Sequence, residues 1–489
     1  MAQLTRRSVL SRTLATAGGA AAGASLSARA FSAVAGANDD VRVALVGLGH
    51  RGPQLVDWFR KVPGVRITAL CDCDSRCFAK PLQKLAGAKE RPRTESDFRR
   101  VLDRKDIDAV AIATPNHWHA LMAVWACQAG KDVYVEKPVS HTVWEGRQIV
   151  AAARKTKRIV QGGTQNRSCT GLREALAWLR RGPLGKLTLV RCFDFPRRVG
   201  IGKVTGPQPV PASVDYNLFQ GPAPLVPLRR KRLHYDWHWF WDTGDGDCGN
   251  RGVHTFDHVR WFMGEIARKI PRNVISIGGR CGWDDDGQTP NTQVTLFDCK
   301  PVPILWELQT LPKRLRADHL NRVKGLWGSM IFEYEGGYFA GGRGGGRAFD
   351  KDGKLIKTFR GDSGVTHAAN FIAAVRTRKP ADLRAEIRET HVSSAMCHVA
   401  NVSVRLGHRR SPDEIRKAVA GSALLAESFE RLLRHLSANG VEAGTAPLRL
   451  GPRLTVDSET ERFTGEVSRW ANTYHSRIYR PPFVMPEKV

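Results

Sequence analysis

The sequence predicts an α/β protein that begins with a doubly wound parallel sheet and continues into a second, strand-rich domain. A glycine-rich turn lies between a short β-rich segment and a helical segment just after residue 40. Strand-like and helical segments then alternate up to about residue 161, a pattern typical of parallel sheets with helical crossovers. The chain of 489 residues leaves room for a further domain, since single domains usually span about 100–200 residues.

The composition is that of a globular protein with an unusual charge. Hydrophobic residues make up 42% and charged residues 25% of the chain, which excludes wholesale disorder. No apolar run reaches the roughly 18 residues of a membrane span. Lys and Arg number 76 against 47 Asp and Glu, a formal charge of +29, which fits nucleic-acid binding. The basic residues are scattered, however, and no aromatic–basic recognition module accompanies them, so no nucleic-acid partner is expected.

The ten cysteines predict neither a disulfide framework nor a metal centre. Cys71, Cys73 and Cys77 lie close together, but no second Cys-x-x-Cys pair or histidine pair accompanies them, as zinc sites usually have. The prediction is therefore reduced, buried thiols and no bound metal.

Residues 1–35 predict a twin-arginine signal peptide. Arg6 and Arg7 precede a weakly apolar, Ala- and Gly-rich stretch over residues 14–26. Two Ala-x-Ala cleavage sites follow at 28–30 and 33–35, which completes the three-part layout of an export signal. The expected location is the periplasm. Because this route exports folded proteins, a cofactor can be loaded in the cytoplasm and carried out.

Residues 41–53 predict the first strand and the phosphate-binding turn of a dinucleotide fold. Val41–Val46 is β-rich, and Gly-x-Gly-x-x-Gly follows at once, with Pro53 at the start of the next helix. In this motif the first glycine makes a tight turn, the second admits the pyrophosphate and the third lets helix and strand pack closely. The helix N-terminus then offers N–H groups to phosphate. The predicted cofactor contacts of this turn are Gly47, Leu48, Gly49, His50, Arg51 and Gly52.

The end of the second predicted strand, at 65–70, indicates the nucleotide preference. Asp72 lies about 20 residues past the last glycine, where a carboxylate binds the ribose hydroxyls in dinucleotide folds. A carboxylate there repels the extra phosphate of NADP, so the sequence favours NAD. Arg76 lies nearby and can offset that charge, which leaves NADP open.

Three polar clusters follow later strands of the same alternation. The predicted helices span 94–102, 116–129 and 144–155, and the predicted strands span 108–114, 132–135 and 159–161. The first of these helices begins with Thr94-x-x-Asp97, which resembles a capping box. Ligands of parallel sheets bind at the C-terminal ends of the strands, and the polar clusters fall at those ends. The cofactor contacts predicted there are Thr114, Pro115, Asn116, His119, Glu136, Lys137 and Gln165.

The second part of the chain, from about residue 166, contains a long irregular segment and an aromatic cluster. Residues 197–227 are rich in Pro and Gly, and such long loops are usually lids or oligomer arms. Aromatic and acidic residues lie together over 235–242. This composition suits a carbohydrate site, because rings stack on sugar faces, and Trp239 is a predicted substrate contact. The glycine-rich residues 341–347 predict a flexible loop.

Three motifs of the first domain form a combination typical of one known family. They are the Val-Gly-Leu-Gly-x-x-Gly turn, the segment 113–120 and the tripeptide Glu136-Lys137-Pro138. This combination resembles the glucose-fructose oxidoreductase / inositol dehydrogenase / MocA (Gfo/Idh/MocA) family. The resemblance implies a Rossmann domain over 40–165 and a C-terminal α/β domain over 166–489 with an open, mostly antiparallel sheet. In that family the sheet closes over the nicotinamide and often makes the oligomer contact, so a dimer or tetramer is also implied.

The resemblance also implies a catalytic set. Lys137 and His254 match the lysine and the histidine of the family's site. Many members have Asp-x-x-x-His in the second domain, whereas this chain has Asn250 four residues before His254. An amide can orient a hydroxyl but cannot take its proton, so a proton relay through this position is not implied. The predicted substrate contacts are Lys137, Trp239, Asn250, Arg251 and His254.

The expected function is that of an exported NAD(P)-dependent oxidoreductase. It would transfer a hydride between a tightly bound nicotinamide cofactor and a hydroxyl-bearing carbon of a sugar, polyol or glycoside. His254, whose ordinary pKa is near 6.5, suits a general base, and Lys137 would stabilise the developing carbonyl. Two alternatives remain open. One is a glycoside-cleaving enzyme in which transient oxidation permits elimination and NAD is recycled, and the other is a catalytically inactive sugar- or nucleotide-binding protein.

Overall fold

A six-stranded parallel sheet forms the first half of the molecule. The computed structural model describes residues 40–311, 322–324, 326–327 and 330–489, so the predicted signal peptide lies outside the described residues. The strands of this sheet are β1 (Val41–Val46), β2 (Val65–Cys71), β3 (Arg93–Glu95), β4 (Ala109–Ile112), β5 (Asp132–Val135) and β6 (Val160–Gly162). Their order is β3-β2-β1-β4-β5-β6, and each neighbouring pair is parallel. The prediction of a doubly wound parallel sheet is confirmed.

Helices pack on both faces of this sheet because its strands are apolar on both sides. In β1, Ala44 and Val46 belong to one buried cluster, and Val43 and Leu45 belong to the other. Such two-sided burial is typical of parallel sheets. The helices of this region are α1 (Gly52–Phe59), α2 (Ala79–Lys84), α3 (Phe98–Leu102), α4 (Asn116–Gln128) and α5 (Val143–Thr156).

The prediction of a helix over 94–102 is wrong at its start. Thr94 lies in β3, where it pairs with Leu70 of β2, and α3 begins only at Phe98. Asp97 is the N-cap rather than the third residue of a helix, because its carboxylate accepts a hydrogen bond from the backbone N–H of Arg99 at 2.9 Å. The β-branched Thr94 is therefore free to extend the sheet at the edge of β2.

The second half of the chain forms a mixed, mostly antiparallel sheet, as the family resemblance implies. Its strands are β7 (Leu187–Asp194), β8 (Asn273–Gly279), β9 (Thr292–Asp298), β10 (Ile304–Gln309), β13 (Met330–Tyr334), β14 (Gly337–Gly342), β15 (Gly345–Asp350), β16 (Leu355–Arg360), β17 (His408–Arg409), β18 (Arg449–Leu450), β19 (Leu454–Val456) and β20 (Phe463–Thr464). Two short strands, β11 (Arg322–Val323) and β12 (Leu326–Trp327), lie between β10 and β13 in the chain. The order is β16-β15-β14-β13-β7-β10-β9-β8-β18-β17, with β19 added to β8 and β20 to β19, while β11 and β12 form a separate pair. Strands β7 and β10 are parallel, and the other neighbours resolved in the described ranges are antiparallel.

Helices cover parts of both faces of the mixed sheet. The helices of the second half are α6 (Thr170–Leu179), α7 (Tyr216–Gln220), α8 (Leu233–Asp236), α9 (Val253–Met263), α10 (His367–Thr377), α11 (Ile387–Leu406), α12 (Pro412–Val419), α13 (Ala423–Ala438) and α14 (Ser468–Ala471). Helices α6, α9 and α11 pack on one face around Phe256 and Trp306, and α12 and α13 pack on the other face around Leu305 and Phe429. Because the chain's own helices cover β8 to β10, that part of the sheet is not open to a second copy. The dimer or tetramer stays a prediction.

None of the helices in the described ranges combines the length and the apolarity that crossing a bilayer takes.

Two helices of the second half pack against the first sheet. On α10, the ring of Phe371 lies edge-on to those of Phe59 and Tyr134, at 6.2 and 6.1 Å. Helix α11 packs against α5, and its Ser394 hydroxyl accepts a hydrogen bond from the backbone N–H of Val139 at 3.1 Å. These contacts fix the segment that follows β5 relative to the second sheet.

The C-terminal segment also packs on the first half. Phe483 is buried, and its ring meets Trp118 of α4 edge-on at 5.3 Å. Arg477 donates a hydrogen bond to the carbonyl oxygen of His117 at 3.1 Å and pairs with Glu145 at 3.0 Å. Residues near the end of the chain therefore support the helix that follows β4.

A ladder of five charged side chains joins α13 to the mixed sheet. Glu307 of β10 is fully buried and faces Arg431 at 3.2 Å. Arg431 and Arg191 both pair with Glu427, at 3.1 and 3.0 Å, and Arg191 also pairs with Glu333. Burial raises the pKa of Glu307 to about 7, although the charge of Arg431 opposes this effect.

The variant E307Q should gain stability over the wild type as the pH rises. The pKa of Glu307 is about 7 in the folded chain and near 4.3 in an unfolded chain. At pH values between these two, the folded chain binds a proton at Glu307 that the unfolded chain has lost. The wild-type free energy of unfolding therefore falls as pH rises through that window, by up to about 4 kcal/mol, and the variant lacks this fall. Thermal unfolding at about pH 5 and pH 8 measures the difference.

The matched control is E427Q. Glu427 contacts the same Arg431, but its side chain is 46% exposed, so this variant should show no comparable trend with pH. A melting difference between E307Q and the wild type that stays constant over the same range would contradict the interpretation.

Candidate functional site

A cavity of about 380 Å³ lies at the C-terminal ends of β1, β4 and β5. The strand order reverses between β1 and β4, and this switch point is where doubly wound sheets bind their ligands. Residues from both halves of the chain line the cavity. Of the predicted site residues, those in its wall are Gly47, Gly49, His50, Arg51, Asp72, Thr114, Pro115, Asn116, His119, Glu136, Lys137, Gln165, Asn250 and His254.

The turn after β1 requires glycine at two positions. Gly47 has a φ of +81°, and a Cβ there would lie 2.6 Å from the backbone of residues 113 and 114. A Cβ on Gly52 would lie 2.3 Å from the carbonyl oxygen of Gly47. Gly49 faces the cavity, and the nearest group to a Cβ there would be His234 at 3.6 Å. The turn therefore presents bare backbone to the cavity, which suits the pyrophosphate of a dinucleotide.

Asp72 lies at the end of the cavity formed by β2. Its carboxylate accepts hydrogen bonds from the backbone N–H groups of Leu48 at 2.6 Å and Asp74 at 2.9 Å. Burial raises the pKa of Asp72, although these hydrogen bonds oppose it. The guanidinium of Arg76 donates hydrogen bonds to the carboxylate of Asp74, at 2.8–3.2 Å, rather than to Asp72. Arg76 is therefore bound to Asp74 and does not neutralise the negative charge of Asp72. A negative charge at this position favours ribose hydroxyls over a 2′-phosphate.

Side chains at the ends of β4 and β5 hold one another in place. His119 of α4 lies 2.6 Å from the carbonyl oxygen of Pro138. Glu136 is buried and binds the guanidinium of Arg51, in the glycine turn, at 2.8 Å. Burial alone would raise the pKa of Glu136, but Arg51 and Lys137 lower it overall. The ionised Glu136 therefore ties the turn to β5.

Lys137 reaches across the cavity to the second half of the chain. Its Nζ donates hydrogen bonds to the backbone oxygen of Asn250 at 2.6 Å and to the side-chain Oδ1 at 3.1 Å. Burial, helped by the charges of Arg51 and Arg251, lowers the pKa of Lys137 to about 8, although Glu136 opposes this. More of this lysine is therefore neutral amine at neutral pH than of a lysine with the ordinary pKa.

His254 faces the same space from the start of α9. It follows Cys248–Gly252, a π-helical turn that carries Asn250, and such distortions are frequent at functional sites. Burial and the charge of Lys137 lower the pKa of His254 well below its ordinary value. Its Nδ1 is buried, and no hydrogen-bond partner for it exists in the described part of the chain. His254 is therefore a neutral imidazole with an unused ring nitrogen.

A buried carboxylate, that of Asp245, connects the segments that carry these residues. It accepts a hydrogen bond from the side-chain amide of Asn116 at 2.9 Å and lies 3.1 Å from His141 and 3.4 Å from His398. Asn401 of α11 donates to the Asp245 carbonyl oxygen at 3.0 Å. Burial alone would raise the pKa of Asp245, but the two histidines lower it overall. Three separate segments thus converge on one buried anion.

Two predicted cofactor contacts, Leu48 and Gly52, lie outside the cavity wall. Leu48 is 1% exposed and packs in the core, while its N–H binds Asp72. Gly52 packs under the carbonyl group of Gly47. Both support the turn without facing the cavity.

Two predicted substrate contacts, Trp239 and Arg251, also lie outside the cavity wall. Trp239 is 4% exposed, with its ring 5.4 Å from that of Tyr235 and 5.5 Å from the guanidinium of Arg198. The short 3₁₀ turn Trp237–Trp239 directs Trp237 to the cavity and Trp239 into the protein. Arg251 is half exposed and faces Asp194 at 3.7 Å.

Several residues that sequence reasoning did not assign do line the cavity. Leu218 and Phe219 come from α7, within the 197–227 segment predicted to act as a lid or arm. Trp237 and His238 stack with 3.6 Å between ring centroids. The aromatic run indicated this pair, but the direction of each ring depends on the path of the turn. Arg343 has no such signal, because its glycine-rich surroundings indicate a flexible loop.

Asp74, Cys77 and His234 are a group of three potential metal ligands beside the cavity, with ligand atoms within 4.8 Å of one another. His234 lies 2.8 Å from the Asp74 carboxylate, which Arg76 already neutralises. Burial raises the pKa of the Cys77 thiol to about 12, and its Sγ lies 3.9 Å from Nε2 of His234. The geometry is that of a hydrogen-bonded cluster.

Two family models match the chain, one on each sheet. The model described as "Oxidoreductase family, NAD-binding Rossmann fold" matches residues 41–164, and the model described as "Oxidoreductase family, C-terminal alpha/beta domain" matches 186–277. Both are domain models of Gfo/Idh/MocA proteins. Over these two ranges the chain resembles the Gfo/Idh/MocA family. The matches support the resemblance predicted from the glycine turn and the Glu-Lys-Pro tripeptide, whereas an exported twin-arginine subfamily stays a prediction.

Curated relatives of the chain carry glycosidase names. It is 36% identical over 156 residues to "Glycosyl hydrolase family 109 protein 2" of Shewanella sp. (strain ANA-3), which covers 30% of this chain and 34% of that protein. It is 36% identical over 124 residues to "Alpha-N-acetylgalactosaminidase" of Shewanella oneidensis, covering 24% of this chain and 27% of the relative. The matches thus span about a third or less of these relatives.

Solved structures share the fold. The WlbA dehydrogenase from Bordetella pertussis, in complex with NADH and UDP-GlcNAcA, superposes with a TM-score of 0.54 at 18% identity, over 74% of this chain and 95% of that one. At this identity the likeness concerns the fold alone.

Replacing Asp72 with serine should shift the nucleotide preference toward NADP. Serine can still accept the hydrogen bond from Leu48, but it lacks the charge that repels a 2′-phosphate. The ratio of the Kd for NADP to that for NAD should fall by at least about tenfold, equivalent to about 1.4 kcal/mol. Isothermal titration calorimetry with both nucleotides measures the ratio.

The control D106S removes the same charge from a half-exposed position outside the cavity. It should leave the ratio unchanged. If the ratio of the two Kd values is unchanged in D72S, Asp72 does not bind the ribose.

Proposed function

We propose that this protein is an NAD-dependent oxidoreductase acting on a hydroxyl-bearing carbon of a sugar, polyol or glycoside. The observation that carries the proposal is the convergence of Lys137, Asn250 and His254 in the cavity that begins at the glycine turn. The cofactor, when bound, supplies the hydride acceptor. The chain's own residues must orient the hydroxyl group and take up its proton.

Lys137 suits the proton transfer better than His254, which reverses the roles expected from the sequence. A general base works best when its pKa lies near the working pH. The pKa of Lys137 is about 8, whereas that of His254 lies well below its ordinary value. Lys137 therefore accepts the hydroxyl proton during oxidation and returns it during reduction, and the neutral His254 orients the same oxygen by hydrogen bonding.

Asn250 fits this division of roles. Its two oxygens hold the Lys137 amine in place without adding a negative charge. An aspartate at this position would stabilise the ammonium form and raise the pKa of Lys137. The amide thus preserves a fraction of neutral amine at neutral pH.

Aromatic groups beside the polar set support a carbohydrate substrate. The stacked rings of Trp237 and His238, together with Phe219, form an apolar part of the cavity wall. Aromatic rings pack well against the apolar faces of sugars, while charged and amide groups bind hydroxyls.

Glycoside cleavage through transient oxidation is the second candidate, and the names of the curated relatives favour it. The same first step, loss of a hydroxyl proton and a hydride, would acidify the neighbouring C–H and permit elimination of the glycosidic bond. The cofactor is regenerated within each turnover. Release of p-nitrophenol from p-nitrophenyl glycosides without accumulation of NADH distinguishes this activity from simple oxidation.

Export to the periplasm with the cofactor already bound forms part of the proposal. It is supported by Arg6 and Arg7 and by the Ala-x-Ala sites that follow. Fractionation of cells expressing the full chain and its variant R6K/R7K tests it, since the variant should stay in the cytoplasm. Nucleotide released on denaturing the exported protein tests whether the cofactor is tightly bound.

The pH dependence of turnover should follow Lys137. In the wild type, kcat/KM for the best sugar of a panel should rise with pH through about 8, the pKa of Lys137, because the neutral amine is the base. In N250D the added carboxylate should move this rise upward by about 1–3 pH units, so activity lost at pH 7.5 is recovered near pH 10. Absorbance of NADH at several pH values gives the profiles.

Two further variants complete this test. N250A removes the side-chain oxygen without adding charge, so its profile should not move upward. K137A should lose at least about a hundredfold in kcat/KM at every pH while still binding NAD. Unshifted profiles in N250D, or K137A activity within about threefold of the wild type, would contradict the assigned role.

A further inference from the structure

Arg343 lies at the tip of a hairpin of the mixed sheet that reaches the catalytic end of the cavity. Strands β14 and β15 form the hairpin, and Arg343 and Gly344 are its turn, with Gly342 paired to Gly345. The prediction of a flexible loop over 341–347 is wrong, since these residues are paired strands joined by a tight turn.

Glycines allow this hairpin to pack closely on aromatic neighbours. A Cβ on Gly341 or Gly346 would lie 2.6 or 2.4 Å from the ring of Phe339. Gly345 has a φ of +132°, and a Cβ there would lie 2.1 Å from the carbonyl oxygen of Phe359. These contacts hold the turn in a defined position, so Arg343 is presented to the cavity from a fixed point.

Among the described Lys and Arg side chains of the cavity wall, Arg343 is the one that makes no hydrogen bond or ion pair. Arg51 is bound to Glu136 at 2.8 Å, and Lys137 is bound to Asn250. Arg343 is exposed and lines the cavity, yet it makes no ion pair or hydrogen bond within the described residues. A guanidinium offers five N–H donors in a planar fork.

The charges around the catalytic end favour an anion. The carboxylates in the cavity wall are Asp72, Asp97 and Glu136. The first two lie at the ends of β2 and α3, on the nucleotide side, and Glu136 is neutralised by Arg51. Arg343 also adds to the positive field that lowers the pKa of His254, so it lies on the side of the reacting groups.

We propose that Arg343 binds an anionic substituent of the substrate, and that the substrate is an acidic sugar carrying a carboxylate. The planar guanidinium fork matches a carboxylate through two parallel hydrogen bonds. The inference rests on the proposed function of the same cavity and specifies its substrate class. Arg343 acts here as a specificity-determining residue, since it faces the substrate and leaves proton transfer to Lys137.

The test compares matched sugars on the NAD-loaded protein. The probes are D-glucuronate and D-galacturonate, their neutral parents D-glucose and D-galactose, and D-glucose 6-sulfate. Isothermal titration calorimetry gives the Kd of each, and NADH absorbance gives turnover. The wild type should bind at least one uronate tenfold or more tightly than its neutral parent, and R343Q should lose that factor for the uronate alone.

The matched control is R347Q. Arg347 lies in β15 of the same hairpin, is exposed and does not line the cavity. Its loss removes the same charge and should leave the binding of every probe and of NAD unchanged. R343K, which keeps the charge but not the fork, should recover only part of the uronate preference.

The outcomes separate this inference from the proposed function. Turnover of neutral sugars without any preference for uronates would overturn the role of Arg343 and leave the oxidoreductase intact. A uronate preference that depends on Arg343, without turnover of any probe, would support the binding role and count against the oxidoreductase. A preference for the sulfate alone, or equal loss of acidic and neutral sugars in R343Q, would overturn the carboxylate assignment.

Discussion

The geometry of the site depends on one buried anion, the carboxylate of Asp245. Its partners are Asn116 after β4, His141 after β5 and His398 on α11. A buried charge without partners is costly, so these three segments have to meet when the chain folds. Asp245 also precedes Asn250 in the same loop, and a Cβ on the intervening Gly249 would lie 2.4 Å from its side chain. The hydrogen bonds and ion pairs of Asp245 therefore also bring Lys137 and Asn250 together.

Signals that act within a few residues made the first half of the chain predictable. The glycine spacing, the strand-end clusters and the Glu-Lys-Pro tripeptide all depend on local geometry, and the structure places most of them around one cavity. The errors involve contacts between distant segments. Thr94 extends because the edge of β2 is available, and the order of the hairpin at Arg343 depends on Phe339 and Phe359. The inward direction of Trp239 likewise depends on its neighbours in space.

Burial lowers the pKa values of the two candidate bases by different amounts, and this difference decides which of them suits proton transfer. It leaves Lys137 with a pKa of about 8 and moves the pKa of His254 far below its ordinary value. Oxidation of a sugar and cleavage of a glycoside through oxidation both begin with removal of a hydroxyl proton. Under the proposed function the same lysine would serve either reaction, and the two reactions differ in the fate of the oxidised sugar.

The C-terminal segment has a consequence for the order of events during synthesis. Phe483 packs under Trp118, and Arg477 holds the carbonyl group of His117, at the start of the helix that walls the cavity. A ribosome-bound chain that has not reached residue 483 lacks this support, although its glycine turn was made long before. The wall of the cavity is therefore completed only after a segment 360 positions beyond His117 has been synthesised and has packed against it.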